Sequence, residues 1–199
     1  MGEPAPRIAT YEDVINAPDG MTAELIGGEL HVSPRPASDH AITGAAILRD
    51  ISDAFGRRRG GAGPGGWWII PEPELHLERP SGRVEVVVPD VSGWRRERMP
   101  AVPRTPAFEM PPDWVCEVLS QGARNLRRDR ILKPDVYATD GIPHLWIVDP
   151  VGETLEVFRL QGAVYARVQA FAGDVRVHAE PFEALELDIG GWWLGPDAG

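Results

Sequence analysis

The stretch Asp113–Pro150, DWVCEVLSQGARNLRRDRILKPDVYATDGIPHLWIVDP, decides the fold of this chain. Its first part, Trp114–Leu119, alternates apolar and other residues in a β-rich run, which indicates a strand. The pattern over Asn125–Ala138 is typical of a helix, and Gly141 is well placed to end it. His144–Val148 is a second apolar run and reads as another strand. This order predicts two strands joined by a helix in a right-handed crossover.

Three polar residues in this unit are candidates for chemistry. Glu117 lies inside the first strand, where a buried carboxylate is costly unless a partner compensates its charge. Lys133 is the only lysine of the chain, and the other 19 basic residues are arginine. One lysine can survive by chance, but its predicted place near Glu117 favours a function that needs a compact, tunable ammonium group. Tyr137 lies four residues further along, on the same helix face.

Length and composition limit the class of protein. The 199 residues are expected to form one domain, residues 1–199, with a substantial core. The net charge of −10 argues against a binder that relies on general positive charge to hold nucleic acid. Neither end shows a signal peptide, and no apolar run is long enough for a bilayer, so we expect a cytoplasmic protein without membrane contact. The single cysteine, Cys116, fits a reducing compartment and is expected to be a buried small residue rather than a nucleophile.

The rest of the chain predicts further short elements. Turn and helix signals predict helices that begin after Thr10 and over Ser38 to about Arg57, with a glycine-rich loop at Gly60–Gly66. Gly27-Gly28 suits the turn of a hairpin over Thr22–Ser33. The expected strands and connections are a bent or edge strand at Trp67–Leu77, a central strand at Val84–Val91, an exposed connection over residues 95–112, a hairpin at Thr154–Leu160 and Ala163–Ala170, and short strands at Val175–Ala179 and Ala184–Ile189. Trp192-Trp193 is expected to be a packing or interface element.

Three residues outside the central unit also carry polar groups of interest. Glu24 in the first hairpin is either a solvent-facing strand residue, which is the common case, or an inward carboxylate. His40 lies in the first turn of a helix, where a histidine is more often a surface or cap residue than a ligand. Asp90 ends the predicted central strand, a placement that active sites favour, although a loop-capping aspartate is the ordinary alternative.

Asp90, Glu117 and Lys133 together suit one kind of chemistry. Two acidic groups on adjacent strands can bind Mg²⁺ or Mn²⁺ through oxygen atoms. Such an ion activates water and neutralises charge on a phosphate, and a nearby lysine can orient the water or stabilise the transition state. The trio is sufficient for phosphodiester hydrolysis, but any domain of this size contains two acids and a lysine.

Basic residues form three groups that could contact nucleic acid. The first two are Arg57-Arg58-Arg59 and Arg95-Arg96-Arg98. The third, in the predicted helix, comprises Arg124, Arg127, Arg128, Arg130 and Lys133, and its four arginines are the candidates for nucleic-acid binding. The ordinary alternative for all three groups is a solvated face or loop.

Three segments resemble the putative restriction endonuclease family (the Uma-type family) of the PD-(D/E)XK nuclease superfamily. They are AELIGGELHVSPRPASDH at Ala23–His40, VVPDVSGWRRERMP at Val87–Pro100, and the run from WVCEVLS through DRILKPDVYATDGIPHLWIVDP. The resemblance covers about residues 10–160 and leaves a C-terminal β extension at 150–199. It implies an α/β (α+β) fold, with a restriction-endonuclease-like mixed β-sheet flanked by helices and additional antiparallel hairpins.

The resemblance also implies roles for individual residues. Asp90 and Glu117 would be catalytic metal ligands. Leu119 stands where the superfamily usually has its lysine, so Lys133 would be that lysine, relocated to the helix. Glu24 would join the catalytic site from the first hairpin. Supporting roles are implied for His40, Ser120, Asp129 and Tyr137.

The sequence departs from the family pattern at three places. Gly27 stands where Asp is frequent, and Gln121-Gly122-Ala123 stands where Pro-Ser-Thr is usual. Pro134 directly follows Lys133 and would break the helix unless it begins a new one at its first turn.

The function that the resemblance implies is a Mg²⁺- or Mn²⁺-dependent endonuclease, a hydrolase that acts on DNA. A homodimer would suit an enzyme that cuts both strands, with Trp192-Trp193 as a candidate surface. The alternative is a catalytically inactive nuclease-fold module that binds nucleic acid or a protein partner. A third interpretation, an acidic α/β domain with structural carboxylates, is disfavoured by the motif match.

Overall fold

The computed structural model describes residues 7–56 and 63–195 and has mixed β-sheets flanked by a few helices. The basic group at residues 57–59 and residues 60–62 of the predicted glycine-rich loop lie outside the described residues. The α-helices are α1 (Tyr11–Ile15), α2 (Ser38–Ile51), α3 (Ala123–Arg127) and α4 (Lys133–Thr139), and a π-helical segment, Ser52–Gly56, follows α2. The strands are β1 (Thr22–Ile26), β2 (Glu29–Ser33), β3 (Trp67–Pro71), β4 (Glu74–Glu78), β5 (Val84–Val87), β6 (Val91–Arg95), β7 (Ala107–Phe108), β8 (Trp114–Val118), β9 (His144–Asp149), β10 (Thr154–Gln161), β11 (Val164–Ala172), β12 (Arg176–Val177) and β13 (Leu187–Asp188).

The strands of the described residues form two main sheets and a small third one. The six-stranded sheet has the order β11-β10-β9-β8-β6-β3, and the five-stranded sheet has the order β2-β1-β5-β4-β7. In the six-stranded sheet β8 and β9 are adjacent and parallel, as the strand–helix–strand pattern predicts. The predicted hairpins β1–β2 and β10–β11 are antiparallel pairs. The short strands β12 and β13 pair with each other.

Two predicted strands are wrong in the same way, because each is split between the two main sheets. The run Val84–Val91 is β5 in the five-stranded sheet followed by β6 in the six-stranded sheet, and Asp90 lies just before β6. The run Trp67–Leu77 divides likewise into β3, which is an edge strand, and β4. Prolines stand at both crossings, where they interrupt the strand hydrogen bonding. The two crossings touch, because the Glu72 N–H donates to the Asp90 carbonyl at 3.0 Å.

The predicted helix after β8 is one helical path with a wider turn in its middle. Between α3 and α4, residues Arg128–Leu132 form a π-helical segment. Pro134 explains this segment, since proline lacks an N–H and its ring collides with the carbonyl four residues earlier in a regular α-helix. A π turn relieves the collision. Pro134 therefore does not end the helix but lies in the first turn of α4, and Gly141, with φ of 70°, follows its end as predicted.

The core corrects one further prediction and decides between the two alternatives of another. Residues 95–112 are not simply an exposed connection, because Met99 and Phe108 are buried and β7 pairs with β4. Trp192 is fully buried against Trp146 in its own chain, so it is a packing residue and provides no dimer surface. Among the described residues, no helix combines the length and apolar character needed to cross a membrane.

Candidate active site

The candidate site is a cleft of about 270 Å³ located where the two main sheets meet. The chain segment 33–40, between β2 and the start of α2, lines one part of it. The segment 117–133, from β8 through the π-helical turn, lines another. Asp90 lies at the crossing between the sheets and lines the cleft with both segments. Several residues that are far apart in sequence are thereby brought together.

Asp90 is held in place by one backbone group and one histidine. Its Oδ2 accepts the Val118 N–H at 2.7 Å. Its Oδ1 lies 3.2 Å from Nε2 of His40. The Asp90 side chain is 21% exposed, so part of the carboxylate still faces the cleft.

Glu117 is buried in the centre of the six-stranded sheet and uses both carboxylate oxygens. Oε2 accepts the Lys133 ammonium at 2.7 Å, and Oε1 accepts the Tyr137 hydroxyl. Burial raises the pKa of Glu117 well above its ordinary value, although the charge of Lys133 acts in the opposite direction. The predicted common face of Lys133 and Tyr137 thus meets this carboxylate.

Lys133 has three acceptors for its three N–H groups. They are Glu117 Oε2, the Val88 carbonyl at 2.8 Å and Glu24 Oε1 at 3.1 Å. Burial lowers the pKa of Lys133, but the charges of the neighbouring carboxylates, led by Glu117 and Glu24, raise it overall. Lys133 is therefore a fixed positive charge and cannot accept a proton as a general base.

Glu24 is an inward carboxylate, which is the less common of the two alternatives for a strand residue. It is 2% exposed, and its Oε1 also accepts the Val88 N–H at 2.8 Å. Its Oε2 lies 3.4 Å from Nε of Arg128. Glu24 does not line the cleft, so it contacts Lys133 and Arg128 on the side that faces away from the cleft.

Arg128 and Asp129 lie in the π-helical segment and pair with each other. The Arg128 Nε donates to Asp129 Oδ1 at 2.7 Å, and another Arg128 nitrogen donates to the Ser33 hydroxyl. Asp129 is 2% exposed, and burial raises its pKa although Lys133 and Arg128 act in the opposite direction. Arg128 therefore joins the cleft interior instead of a solvated face.

His40 is buried, so the surface position expected for it is wrong. Burial lowers the pKa of His40, but the hydrogen bond to Asp90 and the charge of Asp90, together with smaller contributions from Asp129 and Val118, raise it overall. Ser120 also lines the cleft. Cys116 is fully buried, and burial raises the pKa of its thiol well above the ordinary value, which fits the predicted packing role.

The four arginines predicted to bind nucleic acid divide into two pairs. Arg128 is engaged inside the cleft, and Arg130 donates to Glu156 at 2.7 Å. Arg124 and Arg127 are exposed on α3 and have no ion pair or hydrogen bond within the described residues. Arg35, which the sequence reasoning did not single out, lines the cleft as a further exposed cation. Only its place within the family segment Ala23–His40 could have indicated it.

The donor set determines how a metal ion fits. Within residues 7–56 and 63–195, no three His, Cys, Asp or Glu side chains form a group that could enclose an ion. Asp90 and Glu117 both line the cleft, and two carboxylates would suit Mg²⁺, because that ion commonly takes one or two carboxylates and completes its shell with water and phosphate oxygens. The charge balance also fits a divalent cation, because four carboxylates surround only two permanent cations. The six groups are Glu24, Asp90, Glu117 and Asp129 against Arg128 and Lys133.

Comparison with solved structures shows that another protein of known structure shares this fold. A crystal structure described as a putative nuclease belonging to DUF820, from Anabaena variabilis ATCC 29413, superimposes with a TM-score of 0.70. The match covers 94% of this chain and 99% of that chain at 22% sequence identity. A search of curated proteins found no significant match.

A family model gives the more specific result. The model described as Uma2, putative restriction endonuclease, matches residues 8–190. This chain therefore belongs to the Uma2 family of putative restriction endonucleases. The matched range includes β10 to β13, which the resemblance at 10–160 left largely outside.

Proposed function

We propose that this protein is an endonuclease that hydrolyses DNA phosphodiester bonds with the help of Mg²⁺ or Mn²⁺ and acts in the cytoplasm. The observation that carries the proposal is the meeting of Asp90, Glu117 and Lys133 at one cleft, from three separate elements. Membership of a restriction endonuclease family supports the same class of reaction.

Asp90 and Glu117 are the residues that would hold the metal ion. The ion, when bound, lowers the pKa of a coordinated water and neutralises charge on the phosphate. Asp90 keeps its orientation through the Val118 N–H and His40. This support matters because a carboxylate ligand must be fixed before the substrate arrives.

Lys133 and Tyr137 act on Glu117 in this proposal. Their hydrogen bonds fix both carboxylate oxygens, and the ammonium offsets part of the negative charge that burial makes unfavourable. Lys133 can reach a phosphate oxygen only by giving up one of its three acceptors, and the Val88 carbonyl is the uncharged one. Its positive charge then stabilises the transition state without any proton transfer.

A cleavage assay tests the proposed activity. Supercoiled plasmid and single-stranded DNA are incubated with Mg²⁺, Mn²⁺ or EDTA, and wild type is compared with Glu117→Gln. Asp39→Asn is the matched control, because Asp39 also lines the cleft but lies outside the proposed machinery. We expect wild type and Asp39→Asn to cleave only with metal and Glu117→Gln to lose at least about 100-fold in rate.

Two outcomes would contradict the proposal. Cleavage that persists in Glu117→Gln would place the chemistry elsewhere. Absence of cleavage by wild type would support the catalytically inactive module that binds nucleic acid or a protein partner. We also propose a homodimer, and a monomer mass in light scattering would reject it.

A further inference from the structure

Unpaired positive charge in the described residues is concentrated around the cleft. Most arginines there donate to carboxylates or carbonyls, and Arg95 and Arg96 lie over the rings of Trp67 and Trp68. The arginines that make no hydrogen bond, ion pair or ring contact within the described part of the chain are Arg35, Arg104, Arg124 and Arg127. Of these four, Arg35 lines the cleft, and Arg124 and Arg127 lie on the helix that contributes Asn125 to the cleft wall.

The positions of these three arginines follow from the elements that carry them. Arg35 lies between β2 and α2 and lines the cleft itself. Arg124 and Arg127 flank Asn125 on α3, and Asn125 lines the cleft. Arg127 is also close enough to β2 for its charge to lower the pKa of His31. Both segments that line the cleft therefore carry free guanidinium groups.

The depth of the site limits the kind of nucleic acid that can enter. The Glu117 and Lys133 side chains are only 2% and 3% exposed, and the catalytic carboxylates lie in a recess instead of on an open face. A duplex presents its phosphates on a wide, stiff surface, whereas a single strand can bend one phosphate into a recess. Single strands are commonly bound by cations that follow their backbone.

We propose that Arg35, Arg124 and Arg127 form a phosphate-binding rim that delivers single-stranded nucleic acid to the cleft. This proposal rests on the proposed nuclease function and specifies its substrate. Guanidinium groups are suited to this task because their fork of N–H donors matches phosphate geometry. Glu72 is exposed and also lines the cleft, so it repels phosphates and restricts the strand to the side of the arginines.

The test is a binding titration in EDTA, where metal-dependent cleavage does not occur. A short fluorescent DNA single strand and the duplex of the same sequence are titrated by anisotropy at several salt concentrations. We expect the single strand to bind more tightly. Three phosphate contacts predict a slope of log K against log salt of roughly −2.

Two matched variants give opposite expectations. Arg35→Gln should weaken single-strand binding by about three- to tenfold and make the slope shallower by about 0.7. Glu72→Gln should strengthen binding, since it removes a repulsive charge. Arg104→Gln is the control, because Arg104 is equally exposed and unpaired but does not line the cleft.

The result that would overturn the rim is equal binding by Arg35→Gln and Arg104→Gln, or tighter binding of the duplex than of the single strand. A separate measurement of Mn²⁺-dependent cleavage of the same oligonucleotides keeps the two proposals apart. If the oligonucleotides are cleaved but Arg35→Gln and Arg104→Gln bind them equally, the rim is rejected and the nuclease proposal is retained. Binding that follows the predicted pattern without any cleavage rejects the nuclease and retains the rim.

Discussion

The Lys133 ammonium contacts Glu117 Oε2 at 2.7 Å, although 16 residues separate the two in sequence. Leu119, two residues after Glu117, is buried and offers no charge to the site. The π-helical turn before Lys133 lies between the two partners and sets where the lysine emerges from the helix. The pair therefore depends on the path of the helix as much as on the identities of the two residues.

Removal of Lys133 should destabilise the fold strongly. Lys133→Met leaves Glu117 and Glu24 as buried carboxylates without their cation, and we expect a loss of about 3–5 kcal/mol in the free energy of unfolding. Glu117→Gln should cost less, because Glu24 still pairs with Lys133. In urea denaturation the double variant should lose less than the sum of the two single variants. If the losses of the two single variants add up to that of the double variant, the Glu117–Lys133 contact does not itself contribute to stability.

The stability of the protein should depend on pH through Glu117. Its pKa is raised in the folded state by burial, so the folded state binds more protons than the unfolded state above pH 4.5. The free energy of unfolding therefore falls as pH rises from 4.5 towards the higher folded pKa. Glu117→Gln should flatten this decline without abolishing it, because the pKa of Asp129 is raised too. Parallel profiles for the two proteins would show that Glu117 does not titrate in this way.

Pro134 should couple helix geometry to activity. Pro134→Ala restores an N–H and removes the collision that the π turn relieves, so the helix can return to regular α geometry. We expect unchanged or higher thermal stability together with slower cleavage. In a regular α-helix, the Lys133 and Asp129 side chains would point in different directions around the helix axis than they do now. Pro36→Ala, in the cleft wall but outside a helix, is the control. Full activity of Pro134→Ala would show that the π turn is not needed to place Lys133.

The sequence predicts local elements better than it predicts which sheet they join. The hydrophobic pattern identifies β8, the helix after it and β9, because each signal lies within a few neighbouring residues. It misses the crossing at Asp90, since β5 and β6 read as one run and only their partners in space separate them. The family motifs point to Asp90, Glu117 and Lys133 together. The burial of Glu24 and His40 depends on contacts with distant segments, which neither a propensity nor a charge count reveals.

Cys116 should be unreactive in the folded protein. Its side chain is fully buried, and burial raises the pKa of the thiol, so very little reactive thiolate is present. A thiol reagent such as Ellman's reagent should modify it only on the timescale of unfolding, at a rate that rises with urea concentration. Rapid modification under native conditions would contradict the packing of β8 between its neighbours.

The measurement that tests the central claim most directly is Mn²⁺ binding by isothermal titration calorimetry, without nucleic acid. The account predicts that wild type binds Mn²⁺ and that Asp90→Asn weakens binding by at least about tenfold while the fold, followed by circular dichroism, is retained. Asp39→Asn should bind as wild type does. Equal Mn²⁺ affinity in wild type and Asp90→Asn would contradict the claim that Asp90 holds the metal ion of this site.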